Sequence, residues 1–419
     1  MMIKTFADVR VALASNFASS QSRGGGSLER MYRLLACIGD PQEQFKVVHV
    51  AGTSGKTSTA YYAAALLHQA GHSVGLTISP HTVEINDRLQ IDGRPLPEAE
   101  FCAKFETYLS IVKQCAVDPT YFELMLGFAF WEFARQKLEY AVVEVAVGGL
   151  LDPTNVLTRI DKICIITDIG FDHMDLLGHT LPEIANQKAG IIQAHNVAFV
   201  YDQGHKIMPS FYNRARQKQA DLRILSRADM RAPDYLPLFQ QRNFGLARAA
   251  IAYVLDRDHD AAISEKMVQA AAAITIPGRM EVFHYHHKTI ILDGAHNGQK
   301  MQALLKSVRA KYDQPFAMLV GFVDGKNADT RMHDILPQCG ASADRLIATQ
   351  FGGPQDAPYF GVPVGDIVQV GRESGVRTII AETQPDQAFQ ALLDSPQDIL
   401  VVAGSLYLLN HIRPLVAVT

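Results

Sequence analysis

Val47-Val48-His49-Val50-Ala51-Gly52-Thr53-Ser54-Gly55-Lys56-Thr57-Ser58 decides how this chain is read. A β-branched run enters a glycine-bracketed loop, and an alanine-rich helical stretch to Ala70 follows, closed by Gly71. This strand–loop–helix order is the setting of a phosphate-binding loop. Gly52 and Gly55 free backbone N–H groups to face an anion, Lys56 brings a point charge, and the Thr57 hydroxyl is placed for a magnesium ion. Thr53, Ser54 and Ser58 complete the cradle. Val50 stands where the first glycine of the longer phosphate-loop frame would fall, so the reading leans on the flanking elements.

With 419 residues the chain is long for one core, which predicts two or three domains. A hydrophobic share of 48% and a charged share of 20% are those of an ordinary globular protein. The net charge of -4 gives no basic footprint for nucleic acid. The five cysteines, Cys37, Cys102, Cys115, Cys164 and Cys339, include no C-x-x-C pair, which argues against a disulfide framework and a zinc site. No leader or membrane-length apolar run is evident, and the expectation is an unprocessed cytoplasmic monomer.

Before the phosphate loop, the run Gly24-Gly25-Gly26 reads as a linker. After it, Ser73–Ile78 is expected to be a second strand, delivering Ser79-Pro80-His81 off its carboxyl edge, where open α/β sheets bind ligands. Asn86–Arg94 reads as a hairpin arm with an Asp-Gly turn. A helix is predicted over 120–136 and a valine-rich strand over 140–147. Within that strand Glu144 is expensive to bury unpaired, and a magnesium ligand is the favoured reading. The strand 163–167 leads to Asp168, Asp172, His173 and Asp175, a cluster of site character. The helix over 182–192 carries Lys188, for which a solvated lysine is the plain alternative. Residues 201–240 give little signal, and 243–255 reads as a helix. After a composition shift at 274–279, strands are expected near 280–286, 289–293, 316–321, 345–349 and 398–403. His284, His286 and His287 bracket a turn and read as structural.

The ordered series Gly52–Lys56, Ser79-Pro80-His81, Thr120–Glu123, Glu144 with Gly148-Gly149, Leu151–Asn155, Asp172-His173, Lys188–Ile192, Pro277-Gly278-Arg279, Asp293–Asn297 and Gly404–Tyr407 resembles the dihydrofolate synthase/folylpolyglutamate synthase branch of the Mur ligase superfamily. The resemblance implies an ATP-dependent ligase that joins L-glutamate to a folate or pteroate carboxylate through an acyl phosphate. By that likeness Thr57, Ser79 and Glu144 serve one Mg2+ and His173 a second, and Lys188 matches a lysine that the family carbamylates. Asn243, Arg279 and Asp293 are implied to contact ATP, His296 and Ser405 the incoming glutamate, and Phe122 and Asp152 the pterin-bearing substrate. The chain departs from the branch at Thr57, where it usually has glycine, at Leu150, where an arginine follows the double glycine, and at Val323-Asp324-Gly325-Lys326-Asn327, where a D-K-D run is expected.

The expected architecture is α/β, with a P-loop Mur-ligase central domain over 1–276, a parallel-rich sheet within it, and a smaller α/β domain over 277–419, the site lying between them. Two alternatives stay open: a Mur-type ligase for a non-folate carboxylate such as a cell-wall precursor, and an idle nucleotide-binding relative. The lack of a separate nucleotide-sugar domain ahead of residue 47 counts against the former. Retention of Lys56, Glu144, His173 and Lys188 counts against the latter.

Overall fold

The computed structural model describes residues 2–20, 27–325, 327–354 and 358–417. The tri-glycine of residues 24–26 lies outside them. The chain forms two compact units, one of Met1–Leu236 with Gln240–Ile274, the other of Pro237–Phe239 with Thr275–Thr419.

The first unit is built on eight strands: β1 (Lys46–Ala51), β2 (Val74–Thr77), β3 (Gln90–Ile91), β4 (Arg94–Pro95), β5 (Tyr140–Glu144), β6 (Ile163–Ile166), β7 (Val197–Tyr201) and β8 (Asp221–Leu225). Their order is β4-β3-β2-β5-β1-β6-β7-β8, parallel from β2 to β8. β1, β2, β5 and β6 are almost wholly buried apolar runs, the pattern of a sheet covered on both faces. Val47, Ala141 and Val143 face a core with Leu34, Phe101, Phe128 and Phe133. By the register Ala51, Cys164 and Ile166 lie on the same face and meet a second core, with Ile184, Ile191 and Phe211, while Val48, Val50 and Val142 turn buried side chains to the opposite face. Because β1 lies between β5 and β6, the chain ends of four neighbouring strands leave one edge around the phosphate loop. Such a reversal of strand order is where open sheets place ligands.

The second unit holds β9 (Glu281–Tyr285), β10 (Lys288–Leu292), β11 (Phe316–Val320), β12 (Arg345–Thr349), the two-stranded pair β13 (Gly352–Pro354) and β14 (Pro358–Phe360), β15 (Ile379–Glu382) and β16 (Ile399–Ala403). Its main sheet runs β15-β12-β11-β16-β10-β9, with only β9 antiparallel. Alternation along β10 sends Ile291 into one core and Ile290 and Leu292 into the other, so helices cover both faces.

Several expectations need correction. Cys37 and Cys115 form a disulfide, with Cα atoms 5.9 Å apart. The helix Ser27–Cys37 and the turn after the helix Glu98–Val112 bring together residues far apart in sequence, a pairing that spacing alone does not carry. In the predicted hairpin arm only β3 and β4 pair, around Asp92-Gly93, while Ile85–Arg88 is a 3-10 turn. The quiet region of 201–240 holds the helix Met208–Lys218 and β8. Of the three histidines read as bracketing a turn, His284 is on β9 and His286 sits in the β9–β10 turn itself, at φ 52°. No helix among the described residues is long and apolar enough to cross a membrane.

Candidate active site

The helix after the phosphate loop starts at Lys56, with Gly55 as its N-cap at φ 91°. A left-handed residue there is cheap only for glycine, and it turns the first-turn N–H groups outward. Crowding fixes both glycines as well. A Cβ on Gly52 would stand 1.8 Å from Thr167 Oγ1, and one on Gly55 2.4 Å from Asn243 Oδ1. The loop crest is held by the segment after β6: Thr53 N donates to Asp168 O at 2.6 Å, Thr53 Oγ1 to Gly170 O at 3.0 Å, and Thr167 Oγ1 to Ser54 O at 2.7 Å. Lys56 Nζ donates to Gly52 O at 3.0 Å, folded over its own loop. Ser58 is buried in the first helical turn.

Glu144 ends β5, paired in register with Val50 of β1. It lies in the strand, as the valine-rich run suggested, but the strand stops there rather than at 147, which leaves Glu144 as the last ladder residue, buried at the carboxyl edge. Its Oε1 accepts from Thr57 Oγ1 at 2.9 Å and its Oε2 from Ser79 N at 3.4 Å. The buried Ser79 Oγ has no hydrogen-bond partner. A carboxylate, a hydroxyl and an orphaned second hydroxyl form an all-oxygen donor set, which suits a hard cation that keeps other positions for water or phosphate. Among the described residues no group of three or more His, Cys, Asp or Glu side chains gathers as a metal site, so a softer metal finds no such cluster.

The other expected residues of this unit fall at or near the same edge. His173 is the N-cap of a short helix, Met174–Leu177, at φ 48° and with its side chain half exposed. Lys188 is buried near the end of the helix Leu181–Ala189, not solvated. Asn243 packs on Gly55 and donates to Gln240 Oε1 at 3.1 Å. Phe122 is partly buried against the aromatic core. Asp152 is engaged by the backbone: it accepts from Val147 N at 2.9 Å and Thr154 N at 2.9 Å. Burial pushes its carboxyl up, against those hydrogen bonds. Asp168 is pushed up to about 6 by burial, opposed by its ion pair with Arg242.

In the second unit Asp293 follows β10, and its backbone N donates to Val402 O of β16 at 3.0 Å. Its carboxylate accepts from Met280 N at 2.8 Å and Ala295 N at 2.9 Å. Gly294 is wedged between Leu406 and Arg279, whose Nη1 a Cβ would approach to 2.9 Å. His296 Nδ1 lies 2.8 Å from Gly294 O and its Nε2 2.9 Å from Lys300 Nζ. A proton on Nδ1 satisfies both contacts, because the lysine can only donate. Ser405, after β16, accepts from Tyr407 N at 3.1 Å. Gly404 N donates to Ala295 O at 2.8 Å, so Arg279, Asp293, His296 and Ser405 gather at the ends of two adjacent strands.

Residue typing alone missed Lys162, Arg214 and Arg242. The first precedes an apolar strand, and the others lie on helices where a lone cation reads as solvated surface.

Two family descriptions match: the Mur ligase middle domain over residues 50–232, and the Mur ligase glutamate ligase domain over 278–406. A folylpolyglutamate synthase of Lacticaseibacillus casei is 29% identical over 93% of this chain and 94% of its own length. The solved Mycobacterium tuberculosis folylpolyglutamate synthase complexed with ADP superposes with a TM-score of 0.85 at 25% identity, covering 98% of each chain. The bifunctional folylpolyglutamate synthase/dihydrofolate synthase from Yersinia pestis, complexed with AMPPNP and a Mn ion, gives 0.82 at 25% identity, over 99% of this chain and 98% of that one. Both Mur ligase domains are thus present in this chain, its relatives match nearly end to end, and the chain belongs to the Mur ligase family, in the branch of folylpolyglutamate and dihydrofolate synthases.

Proposed function

We propose that this chain is an ATP-dependent amide ligase that adds L-glutamate to dihydropteroate, a reduced folate, or both. The observation that carries the reading is the meeting of Thr57, Ser79 and Glu144 beside the Lys56 loop. In the reaction a substrate carboxylate attacks the γ-phosphorus of ATP, forming an acyl phosphate and releasing ADP. The amine of glutamate then attacks the acyl carbon, and phosphate leaves as the amide forms.

The residues present suit the first step, which asks mainly for positioning and charge neutralisation. Backbone N–H groups of the loop hold the phosphates, and Lys56 exchanges the Gly52 carbonyl for phosphate oxygens. Thr57, Ser79 and Glu144 would hold Mg2+, which when bound neutralises charge on the transferring phosphoryl group. His173 and a carbamylated Lys188 would serve a second ion. The modification turns a cation into an anion, which lets a buried lysine side chain act as a metal ligand. In the second unit, Arg279 and Asp293 are assigned to ATP, and His296 and Ser405 to glutamate. Phe122 and Asp152 are assigned to the pterin-bearing substrate. We place the working enzyme in the cytoplasm as a monomer.

The test is ADP release from MgATP with dihydropteroate or tetrahydrofolate, with and without L-glutamate. Turnover that needs both a folate-type acid and glutamate is expected, and the preferred acid tells dihydrofolate synthesis from tail extension. Lys56→Ala should lower turnover by at least about a thousandfold while the far-UV spectrum is kept. Turnover with a cell-wall precursor and none with any folate would overturn the substrate, and normal turnover in the Lys56 variant would overturn the site.

A further inference from the structure

Lys188 sits near the carboxyl end of the helix Leu181–Ala189. The last carbonyls of a helix have no intrahelical donors, so a buried end must find them elsewhere. Backbone N–H groups of Gly190, Ile191 and Ile192 supply them here, and two cations in turn hold the carbonyls of those three residues. Lys162 Nζ donates to Ile191 O at 2.8 Å, and Arg214 donates through Nη2 to Gly190 O at 2.9 Å and through Nε to Ile192 O at 2.9 Å. Leu150 N donates to Gln187 O at 2.7 Å, and Asn155 Nδ2 to Gly190 O at 3.2 Å. On the same side a Cβ on Gly149 would lie 2.8 Å from Gln187 O and 3.2 Å from Lys188 Cα, so the loop after Glu144 lies directly on the backbone of Lys188.

This is more charge than a helix end needs. The helix Lys56–Gln69 closes through backbone N–H groups of Ala70, Gly71 and His72, and the helix Leu181–Ala189 closes likewise through those of Gly190, Ile191 and Ile192, so the two cations are additional to the closure. Lys162, by contrast, is fully buried, and its hydrogen bonds go to two carbonyls, Leu157 O and Ile191 O. His49 of β1, Cys164 of β6 and Arg214 are the titratable groups that act on or face it, and no carboxylate is among them. Burial pulls its ammonium down to about 8. The negative end of the helix dipole is what favours a cation in such a place, and an ammonium held without a counter-anion is costly unless it serves the site.

We infer that Lys162 and Arg214 are positioning residues of the ligase: by gripping the carbonyls of residues 190–192 they fix the height and rotation of the helix, and with it the place of Lys188. This rests on the reading of Lys188 as part of the site. Neither residue touches substrate; both act through the helix. Loosening the grip moves Lys188 because only two to four residues separate it from the held carbonyls.

The test compares the full chain with Lys162→Met, Arg214→Gln and the conservative Arg214→Lys. Lys162→Met and Arg214→Gln should lower kcat by about 10- to 100-fold, the size of an ångström-scale misplacement. The KM for ATP should stay within about twofold, and Arg214→Lys should recover most of the rate. A second readout needs no turnover. Amide hydrogen exchange over residues 184–192 should quicken by about tenfold or more in both damaging variants, with the rest of the chain unchanged. Unchanged exchange there overturns the inference whatever the activity. So does a wild-type kcat in both variants, or a rate loss that only follows a lowered thermal midpoint. A wild-type chain that ligates no glutamate, yet shows the localised exchange, would overturn the assignment of function and leave the mechanical role of the two cations standing.

Discussion

Asp293 shows how one residue can be expensive and kept. Burial pushes its carboxyl up to about 6, although Arg279 and two backbone N–H groups favour the charged form. The folded state therefore binds the proton more tightly than the unfolded chain, whose aspartate titrates near its ordinary value of about 4. Stability from this group is present at low pH and is lost as pH rises from about 4 through about 6, amounting to about 3 kcal/mol for a shift of two units. Asp168, pushed up to about 6 by the same cause, adds a loss of the same sign. Asp293→Asn carries no such charge. In urea unfolding, the wild type should lose stability relative to this variant as pH goes from 4.5 to 7.5. A difference that stays flat across that range would mean the carboxyl titrates normally. At this scale the sequence was informative: an aspartate at the end of an apolar strand already reads as ligand-binding. Its partners Met280 and Ala295 act through backbone N–H groups, which no side-chain pattern reveals.

Among elements, legibility followed burial. β1, β5, β6, β10, β11 and β16 are predominantly apolar and buried, and their expected spans hold to within a few residues. The elements that escaped lie at edges or begin irregularly. β8 reads Asp-Leu-Arg-Ile-Leu and is largely exposed, and β13 is Gly-Gly-Pro. The helix Met208–Lys218 carries Pro209 in its first turn. A proline there does not break the helix, because the first-turn N–H groups have no intrahelical partner to lose. The helix Tyr121–Arg135 was anticipated, while its tie to the helix Ser27–Cys37 was not. Glu123, 1% exposed, accepts from Thr120 N at 2.8 Å, Ser27 Oγ at 3.2 Å, and Arg30 Nε and Nη2 at 3.2 and 2.9 Å. Removing it takes the buried carboxylate away from Arg30 and breaks one half of the capping box with Thr120, so Glu123→Ala should cost about 3 kcal/mol in chemical unfolding. Glu123→Gln, which keeps acceptor oxygen, should cost less. Because Phe122 is the adjacent residue, both variants should also raise the KM for the pterin-bearing acid. A KM that stays put while stability falls would separate this anchor from the substrate subsite.

Over the whole molecule, each of the two units has its own cores, and the one covalent cross-link among the described residues belongs to the first. The Cys37–Cys115 disulfide closes a loop of sequence separation 78 that contains β1, the phosphate loop, β2 and the β3–β4 hairpin. A cross-link of that span removes unfolded-chain entropy worth about 4 kcal/mol in the loop-closure account. Cys102, Cys164 and Cys339 are buried and take no part. Reduction should therefore act on one unit and spare the other. In scanning calorimetry, dithiothreitol or Cys37→Ser should lower the transition of the first unit by roughly 10 °C, taking about 2 to 4 °C per kcal/mol for a domain of this size. The transition of the second unit should stay in place. If both transitions fall together, the units unfold as one cooperative body. A reduced protein that melts within about 2 °C of the oxidised one would mean that packing around Leu34, Phe101 and Phe128 already holds these segments in the unfolded ensemble, so that the bond constrains little.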